Sequence, residues 1–237
     1  MDETDPRFRV AAARRILARA DCDSGVAGHV SVREPGADVF DVSAFGFFDE
    51  TTPEQVVTAD LGGTVVRGDW PASPAINFHA AFYRARPEVG SVIHTHSHWV
   101  STFVTRERAI GMYNVASVLF HDEQITHADD GSKPPVPGDE MAVKLGDRSV
   151  VLIKNHGAIV VSDTLEKATI LALTLEQAAR YHLEAEALGG TEFPTAEARR
   201  GKAKYQQHYL PQMWNACYRR LRASDPDLFA VLEVTRQ

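Results

Sequence analysis

The sequence predicts an α/β sandwich, because two apolar, β-branched runs alternate with segments of helical periodicity. The apolar runs are residues 89–95 and 150–153, and helical patterns cover residues 6–20 and 163–188. Short β-branched runs are typical of buried strands, whereas long segments with apolar residues every three or four positions form helices that pack on a sheet. The mixture therefore favours helices packed against a central sheet.

The first part of the chain is predicted to contain one helix and two hairpins. Residues 6–20 place apolar side chains at near-helical spacing with arginines between them, which indicates an amphipathic helix. Residues 30–32 and 39–43 are short, β-branched and bounded by turn formers, so they predict a hairpin. Residues 56–59 and 64–66 predict a second one, across a turn that contains two glycines.

Helix boundaries follow from capping residues. Residues 52–55 (Thr-Pro-Glu-Gln) supply a capping box and a proline at the first helical position, so a short helix should begin there. Residues 75–86 predict a helix that the following proline stops. The long helix over 163–188 should open with a capping box of Asp163 and Glu166 and end at two glycines.

Nothing in the sequence indicates a domain boundary. Residues 129–139 are dense in turn formers, and we interpret them as a surface loop. A chain of 237 residues, 44% of them hydrophobic, is long enough to bury one sizeable core. We therefore expect residues 1–237 to form a single domain, with residues 200–237 as a C-terminal helical extension. The helix predicted at 205–221 either packs on the domain or covers a functional pocket.

Composition and charge exclude several classes of protein. The formal net charge is −7, and no run of basic residues is longer than a pair, which argues against a nucleic-acid partner or an anionic membrane surface. No apolar run approaches the roughly 18 residues of a membrane span, and the acidic N-terminus does not resemble a signal peptide, so we expect a cytoplasmic protein. Cys22 and Cys217 lie in no CxxC arrangement, which argues against a cysteine-based zinc site.

Histidines are the first candidates for a functional site, since six of the ten lie between positions 79 and 127. Alternate side chains of a strand face the same way, so His94 and His96 project from one face near each other. That geometry can chelate a metal ion, although two histidines on a polar sheet face have the same spacing. His156 follows a predicted strand and precedes a glycine that permits a sharp turn, so it stands at a strand end, where functional sites collect.

Several motifs occur in a fixed order between roughly residues 7 and 190. They are Gly28-His29-Val30-Ser31-Val32-Arg33, Asp60 with Gly62, residues 79–89 (HAAFYRARPEV), His94-Thr95-His96-Ser97 and Asn155-His156-Gly157. Together they resemble the class II aldolase and adducin N-terminal domain superfamily. The resemblance implies a three-layer αβα sandwich with a central, mainly antiparallel sheet, and a homotetramer with its sites near subunit interfaces.

The family's three metal-binding histidines fall on His94, His96 and His156, so the resemblance implies one divalent metal ion per chain. Three neutral imidazoles leave one or two coordination positions open, which is the arrangement of a catalytic site. An open position allows the ion to polarise an oxygen of a bound hydroxy or oxo acid while a neighbouring carbon–carbon bond breaks. Imidazole ligands accept zinc and iron alike; Zn²⁺ is expected for a lyase and Fe²⁺ for an oxygenase.

The chain differs from the family's sugar-phosphate aldolases at several positions. The glutamate that transfers protons in those enzymes falls on Ala75, which has no titratable group. Two of their phosphate-binding positions fall on His29 and Pro74. The loop at 43–48 carries three phenylalanines, which either line an apolar or aromatic ligand pocket or fill the core. The predicted substrate-binding residues are Ser43, Phe45, Gly46 and Ser73.

Other side chains could transfer protons in place of the missing glutamate. No spacing argument selects among them. Tyr113 lies where some aldolases of the family place a tyrosine that crosses a subunit interface, and it could equally be a packing residue. His79 is expected to orient its neighbours. The predicted catalytic candidates are His29, His98, Tyr113, His121 and Glu123.

Three functions fit these observations. The first is a metal-dependent lyase that cleaves a carbon–carbon bond, by retro-aldol reaction or decarboxylation, in a non-phosphorylated hydroxy or oxo acid. The second is a non-haem iron(II) oxygenase for an aromatic oxo acid, as in the prenylated hydroxyphenylpyruvate oxygenases of the same superfamily. The third is a non-catalytic binding module, as in adducin, against which the retained metal histidines argue.

Overall fold

The computed structural model describes residues 1–23, 25–128 and 138–233. In these ranges the strands form one eight-stranded sheet with the order β4-β3-β2-β1-β5-β8-β7-β6. All neighbouring strands are antiparallel except β6 and β7, which run parallel. The strands are β1 (His29–Val32), β2 (Val39–Ser43), β3 (Val56–Asp60), β4 (Val65–Arg67), β5 (Ser91–Thr95), β6 (Gln124–His127), β7 (Val150–Ile153) and β8 (Gly157–Ser162).

Helices cover both faces of this sheet. On one face, α2 and α4 pack over a core that includes Phe40, Phe82 and Val92. On the other face, α1, α3, α5 and α7 enclose a larger core that includes Phe8 and Ile93. The helices are α1 (Pro6–Ala18), α2 (Ile76–Ala85), α3 (His98–Phe103), α4 (Gly138–Leu145), α5 (Leu165–Ala187), α6 (Thr195–Lys204), α7 (Leu210–Ser224) and α8 (Pro226–Glu233). The predicted three-layer αβα sandwich with a mainly antiparallel sheet is confirmed.

The predicted hairpins and the three predicted longer helices are present, but one predicted helix cap is wrong. The long helix α5 is capped by Thr164, whose side-chain oxygen accepts a hydrogen bond from the Lys167 backbone N–H. Asp163 instead accepts a hydrogen bond from the Ser162 hydroxyl at 2.8 Å. The capping box at the short 3₁₀ helix Pro53–Gln55 is present, and its glutamine accepts from the Thr52 N–H at 2.8 Å.

The strands β6 and β8 were not predicted. Three of the four residues of β6 are polar, which gives a weak strand signal. β8 contains the β-branched run 159–161, a strand signal that the sequence interpretation missed. Most of the loop predicted at 129–139 lies outside the described residues.

The C-terminal segment packs on the larger core. The predicted helix at 205–221 is a π-helical turn, Tyr205–Tyr209, followed by α7, which contacts α1 and α5. Buried Asp225 at its end accepts hydrogen bonds from Arg15 of α1 and from Arg19, which directly follows α1, at 3.2 and 2.5 Å. The contacts of α7 therefore match the packing alternative. Among the described residues, no helix is both long enough and apolar enough to cross a membrane.

Candidate metal centre

The three predicted metal ligands come from two neighbouring places at one end of the sheet. His94 lies in β5, and His96 follows it just after the strand ends. His156 lies in the tight turn between β7 and β8, next to Asn155, whose φ of 56° is left-handed. Because β5 pairs with β8, this turn lies beside the end of β5. One nitrogen of each imidazole lies within 4.8 Å of the others, so the predicted histidines do form a cluster.

Hydrogen bonding fixes which nitrogen of His94 can bind a metal. Its Nδ1 lies 2.9 Å from the backbone oxygen of Ala158, so Nδ1–H donates there and Nε2 keeps its lone pair. That Nε2 lies 2.8 Å from Nε2 of His96. Burial lowers the pKa of His94 well below its usual value, and burial together with His156 lowers the pKa of His96 to about 4. These two imidazoles are therefore neutral at pH 7, the form that binds a divalent ion, and the donor set fits such an ion.

His29 is the proposed catalytic candidate that contacts a predicted ligand. It is the cross-strand partner of His94 in the β1–β5 pair, and the two rings stack with centroids 5.6 Å apart. Its side chain is 4% exposed, and its Nδ1 has no hydrogen-bond partner among the described residues. Burial, followed by the neighbouring His79, lowers the pKa of His29 well below its usual value. A neutral imidazole therefore adjoins the candidate metal centre.

His79 lies behind His29 in a buried polar network. Its Nδ1 and the Tyr83 hydroxyl each lie 2.7 Å from the Ser31 hydroxyl oxygen. Its ring lies 5.5 Å from that of His29, nearly perpendicular to it, and stacks on Phe78 at 4.6 Å. These contacts agree with the expectation that His79 orients its neighbours.

The phenylalanine-rich loop at 43–48 follows β2. Phe48 is fully buried, whereas Phe45 and Phe47 are 38% and 51% exposed, so the loop both fills core and presents aromatic surface. The Phe45 N–H donates to the Pro71 carbonyl at 3.0 Å, which joins the loop to the segment that carries Ser73. The chain leads from this segment into α2, where the Phe78 ring lies edge-on to that of His94, with centroids 5.3 Å apart.

The two predicted substrate serines already serve the backbone. The Ser43 hydroxyl accepts from the Val30 N–H at 3.2 Å, and the Ser73 hydroxyl accepts from the Ala75 N–H at 3.2 Å. Both serines are buried. Their hydroxyl groups can still donate one hydrogen bond each, so a role in substrate binding would be through donation.

Arg14 of α1 holds the aromatic loop and was not singled out from the sequence. Its guanidinium donates to the carbonyls of Ala44 and Gly46, at 3.1 and 2.8 Å, and lies 4.1 Å from the centre of the Phe48 ring. The side chain is 1% exposed, and burial lowers its pKa to about 10. An arginine among the apolar residues of a helix was the available signal, but adjacent Arg15 is buried as well, so the pattern does not separate their roles.

Other predicted catalytic candidates lie away from these histidines within one chain. Glu123 lies just before β6 and forms an ion pair with Lys202. The other end of β6 is His127, whose strand partner Ile153 lies beside the turn that carries His156. His121 lies in the same turn, with Nε2 3.2 Å from its neighbour Asp122.

The two remaining candidates pack against other rings. His98 is exposed on α3 and contacts Trp99 edge-on, with ring centroids 5.1 Å apart. The ring of Tyr113 packs on His182 of α5 at 4.7 Å. Within one chain, His29 therefore lies at the histidine cluster. The catalytic roles of the other four candidates stay predictions.

Comparisons with known proteins agree with this geometry. The profile of the class II aldolase and adducin N-terminal domain family matches residues 8–183. A 4-hydroxy-3-prenylphenylpyruvate oxygenase/4-hydroxy-3-prenylbenzoate synthase from Streptomyces roseochromogenus subsp. oscitans is 31% identical, over 95% of this chain and 84% of that protein. Decarboxylase NovR from Streptomyces niveus is 31% identical, over 94% of this chain and 86% of its own length.

Solved structures share the fold. An aldolase II superfamily protein from Pseudomonas syringae superposes with a TM-score of 0.83 and 25% identity, over 94% of both chains. An L-fuculose 1-phosphate aldolase from Glaciozyma antarctica PI12 superposes with a TM-score of 0.82 and 23% identity, over 93% of this chain and 90% of that one. With three quarters of its length matched by the family profile, the chain belongs to the class II aldolase and adducin N-terminal domain family.

Proposed function

We propose that this protein is a metal-dependent enzyme that cleaves a carbon–carbon bond in a non-phosphorylated hydroxy or oxo acid. The observation that carries the proposal is the cluster of His94, His96 and His156, in which three imidazoles and no carboxylate of the described residues converge. Three protein ligands leave room for substrate oxygen atoms at the same ion, whereas a structural site would be fully ligated. When bound, the ion supplies Lewis-acid chemistry at those oxygens.

The substrate proposed is an acid with an apolar or aromatic body. Pro74 has no N–H to offer a phosphate, and Ser43 and Ser73 can donate only one hydrogen bond each. The exposed rings of Phe45 and Phe47 offer contact area to an apolar group instead. We propose that these residues, with Gly46 in the same loop, form the substrate side of the site.

His29 is the proposed proton-transfer group. Family aldolases use a glutamate at the position of Ala75, and a methyl group cannot do that work. A neutral imidazole has one N–H donor and one lone pair, so it can hold a substrate hydroxyl and exchange its proton. The contact between His29 and His94 supports this role. His98, Tyr113, His121 and Glu123 stay as alternatives that an assembly of several chains would have to bring to the site.

An iron(II) oxygenase is the second candidate. It is favoured by the oxygenase activity in the name of the Streptomyces roseochromogenus relative, which matches nearly the whole chain, including the segment beyond the family profile. Three histidines bind Fe²⁺ as well as Zn²⁺. The two candidates differ in one measurable way, because an oxygenase consumes O₂ and a lyase does not.

The proposal is tested first by elemental analysis of protein expressed with zinc and iron both supplied. We expect about one ion per chain in the parent, loss of that ion in His96→Ala, and full retention in His208→Ala, since His208 is exposed in the π-helical turn. Zinc in the parent leads to assays of carbon–carbon cleavage on aromatic hydroxy and oxo acids, and iron leads to oxygen-uptake assays. A metal-free parent would refute both enzymes and leave an adducin-like binding module.

We also propose that the chain forms one domain and assembles as a homotetramer in the cytoplasm. The resemblance to the family is the basis for this assembly. Light scattering at micromolar concentration should then give four times the 26.1 kDa mass of one chain. A monomer with full activity would contradict the assembly without affecting the metal site.

A further inference from the structure

Glu176 of α5 is a buried carboxylate without a cationic partner in the described part of the chain. The side chain is 5% exposed, and no lysine, arginine or histidine nitrogen in those ranges lies within 4.0 Å of it. Burying an ionised carboxylate is unfavourable unless hydrogen bonds compensate for the lost hydration. Most other buried residues of this helix are apolar or small, so a carboxylate here needs a specific explanation.

The compensating hydrogen bonds all come from the start of α3. The Glu176 carboxylate accepts from the Ser97 hydroxyl at 2.6 Å, from the Trp99 N–H at 2.7 Å and from the Val100 N–H at 2.9 Å. The first N–H groups of a helix have no partner within the helix, and the Ser97 side chain caps none of them. Glu176 thus replaces the usual local cap from 77 positions away in the sequence.

The helix that Glu176 holds is attached to both ligand segments of the candidate metal centre. Ser97 directly follows His96, so a bond to its hydroxyl fixes the chain where His96 leaves β5. On the next turn of α3, the Ser101 hydroxyl donates to the backbone oxygen of His156 at 3.2 Å. A shift of α3 would therefore move the backbone of two of the three histidines.

We propose that Glu176 is a positioning residue for the metal centre: it fixes α3 and through it sets the geometry of His96 and His156. The inference rests on the proposed metal site. It predicts that loss of the carboxylate weakens metal binding and alters coordination even when the protein stays folded, since outer-shell partners of metal ligands typically change affinity by about 10- to 100-fold.

The test uses the full-length protein, stripped of metal and titrated with Co²⁺, whose visible absorption reports coordination geometry. We expect Glu176→Ala to raise the Kd for Co²⁺ by about tenfold or more and to change the shape of the absorption band. Glu176→Gln keeps one acceptor oxygen of the same shape and should restore part of the affinity. Glu184→Gln, on the exposed side of the same helix, should behave as the parent.

Circular dichroism and thermal unfolding of each metal-free variant distinguish a role in the metal centre from a role in folding alone. If Glu176→Ala does not fold, the test uses Glu176→Gln and Ser97→Ala, the second of which removes one hydrogen bond. For each we expect a Kd for Co²⁺ about threefold or more above that of the parent. If folded variants bind Co²⁺ with the parent Kd and spectrum, the inference is wrong. If the parent itself binds no Co²⁺, the proposed function fails as well.

Discussion

His29 and His94 face each other across the antiparallel pair β1–β5, and their rings stack at 5.6 Å with an angle of 28° between the ring planes. We predict that His29→Asn lowers kcat/KM on the order of 100-fold, because a proton-transfer group is lost while the three ligands stay in place. Metal content should remain at the parent level. His208→Asn, an exposed histidine, is the matched control, and a His29→Asn enzyme with parent activity would remove His29 from the mechanism.

Metal binding should stabilise the folded protein. An ion that binds the native state alone adds about 2.7 kcal/mol at a free concentration of 100 times Kd. We therefore expect added Zn²⁺ to raise the Tm of the metal-free parent and to leave that of His156→Ala nearly unchanged, as followed by scanning calorimetry. Equal shifts in both proteins would mean that the ion binds elsewhere.

Acid should destabilise the metal-free protein below pH 6.5. Burial lowers the pKa of His29, His79 and His94 well below 6.5, whereas the unfolded chain takes up protons near that value. The unfolded state then binds more protons, so the stability present above pH 6.5 falls as the pH drops towards the folded-state pKa values. Each such histidine adds about 1.4 kcal/mol per pH unit to the slope.

Urea unfolding of His79→Gln between pH 7 and 5 measures the share of one histidine. We expect a shallower dependence of the unfolding free energy on pH than in the parent, whatever the stability at pH 7. His208→Asn, at an exposed position of the π-helical turn, is the matched control variant. An unchanged slope in His79→Gln would show that folding does not lower the pKa of His79.

Arg14 should matter for both stability and substrate binding. Arg14→Met leaves the carbonyls of Ala44 and Gly46 without their donor, and we expect a loss of about 2–4 kcal/mol in unfolding free energy. Because the aromatic loop loses its support, KM should rise more than kcat falls. Arg200→Met, at an exposed position of α6, should change neither. A stable Arg14→Met protein with parent KM would contradict this.

Phe45→Ser and Phe47→Ser test the aromatic surface itself. Both rings are partly exposed, so removing them should change stability little. If they contact substrate, KM for an aromatic acid should rise about tenfold or more, while a small aliphatic acid is affected less. The comparison of two substrates is the measurement, and equal effects on both would place these rings outside the substrate site.

The sequence predicts much of the fold because most elements carry strong local patterns. The apolar run 150–153 is a strand with the predicted bounds, and α5 ends within a residue of its predicted end. The edge strand β6 could not be predicted, because its pairing with β7 supplies what its composition lacks, whereas β8 was missed despite its β-branched run at 159–161.

The site is predictable to the extent that it rests on spacing. The pair at 94 and 96 follows from strand geometry, and His156 needed the family resemblance to join it. Glu176 and Arg14 could not be predicted, since each acts on a segment distant in sequence and only the packed structure brings them together. His121 and Glu123 show the converse, because closeness in sequence to other histidines does not determine on which end of a strand a residue lies.

The register of the β5–β8 pairing determines whether the three histidines can meet during folding. His94 is paired with Ile159, and His156 lies three residues before it, in the turn that leads into β8. A slip of one residue in the β5–β8 pairing would turn alternate side chains to the opposite face and separate the imidazoles. A sheet with the wrong register would then lack the three-histidine site. Metal binding would therefore stabilise the native strand pairing and no shifted one.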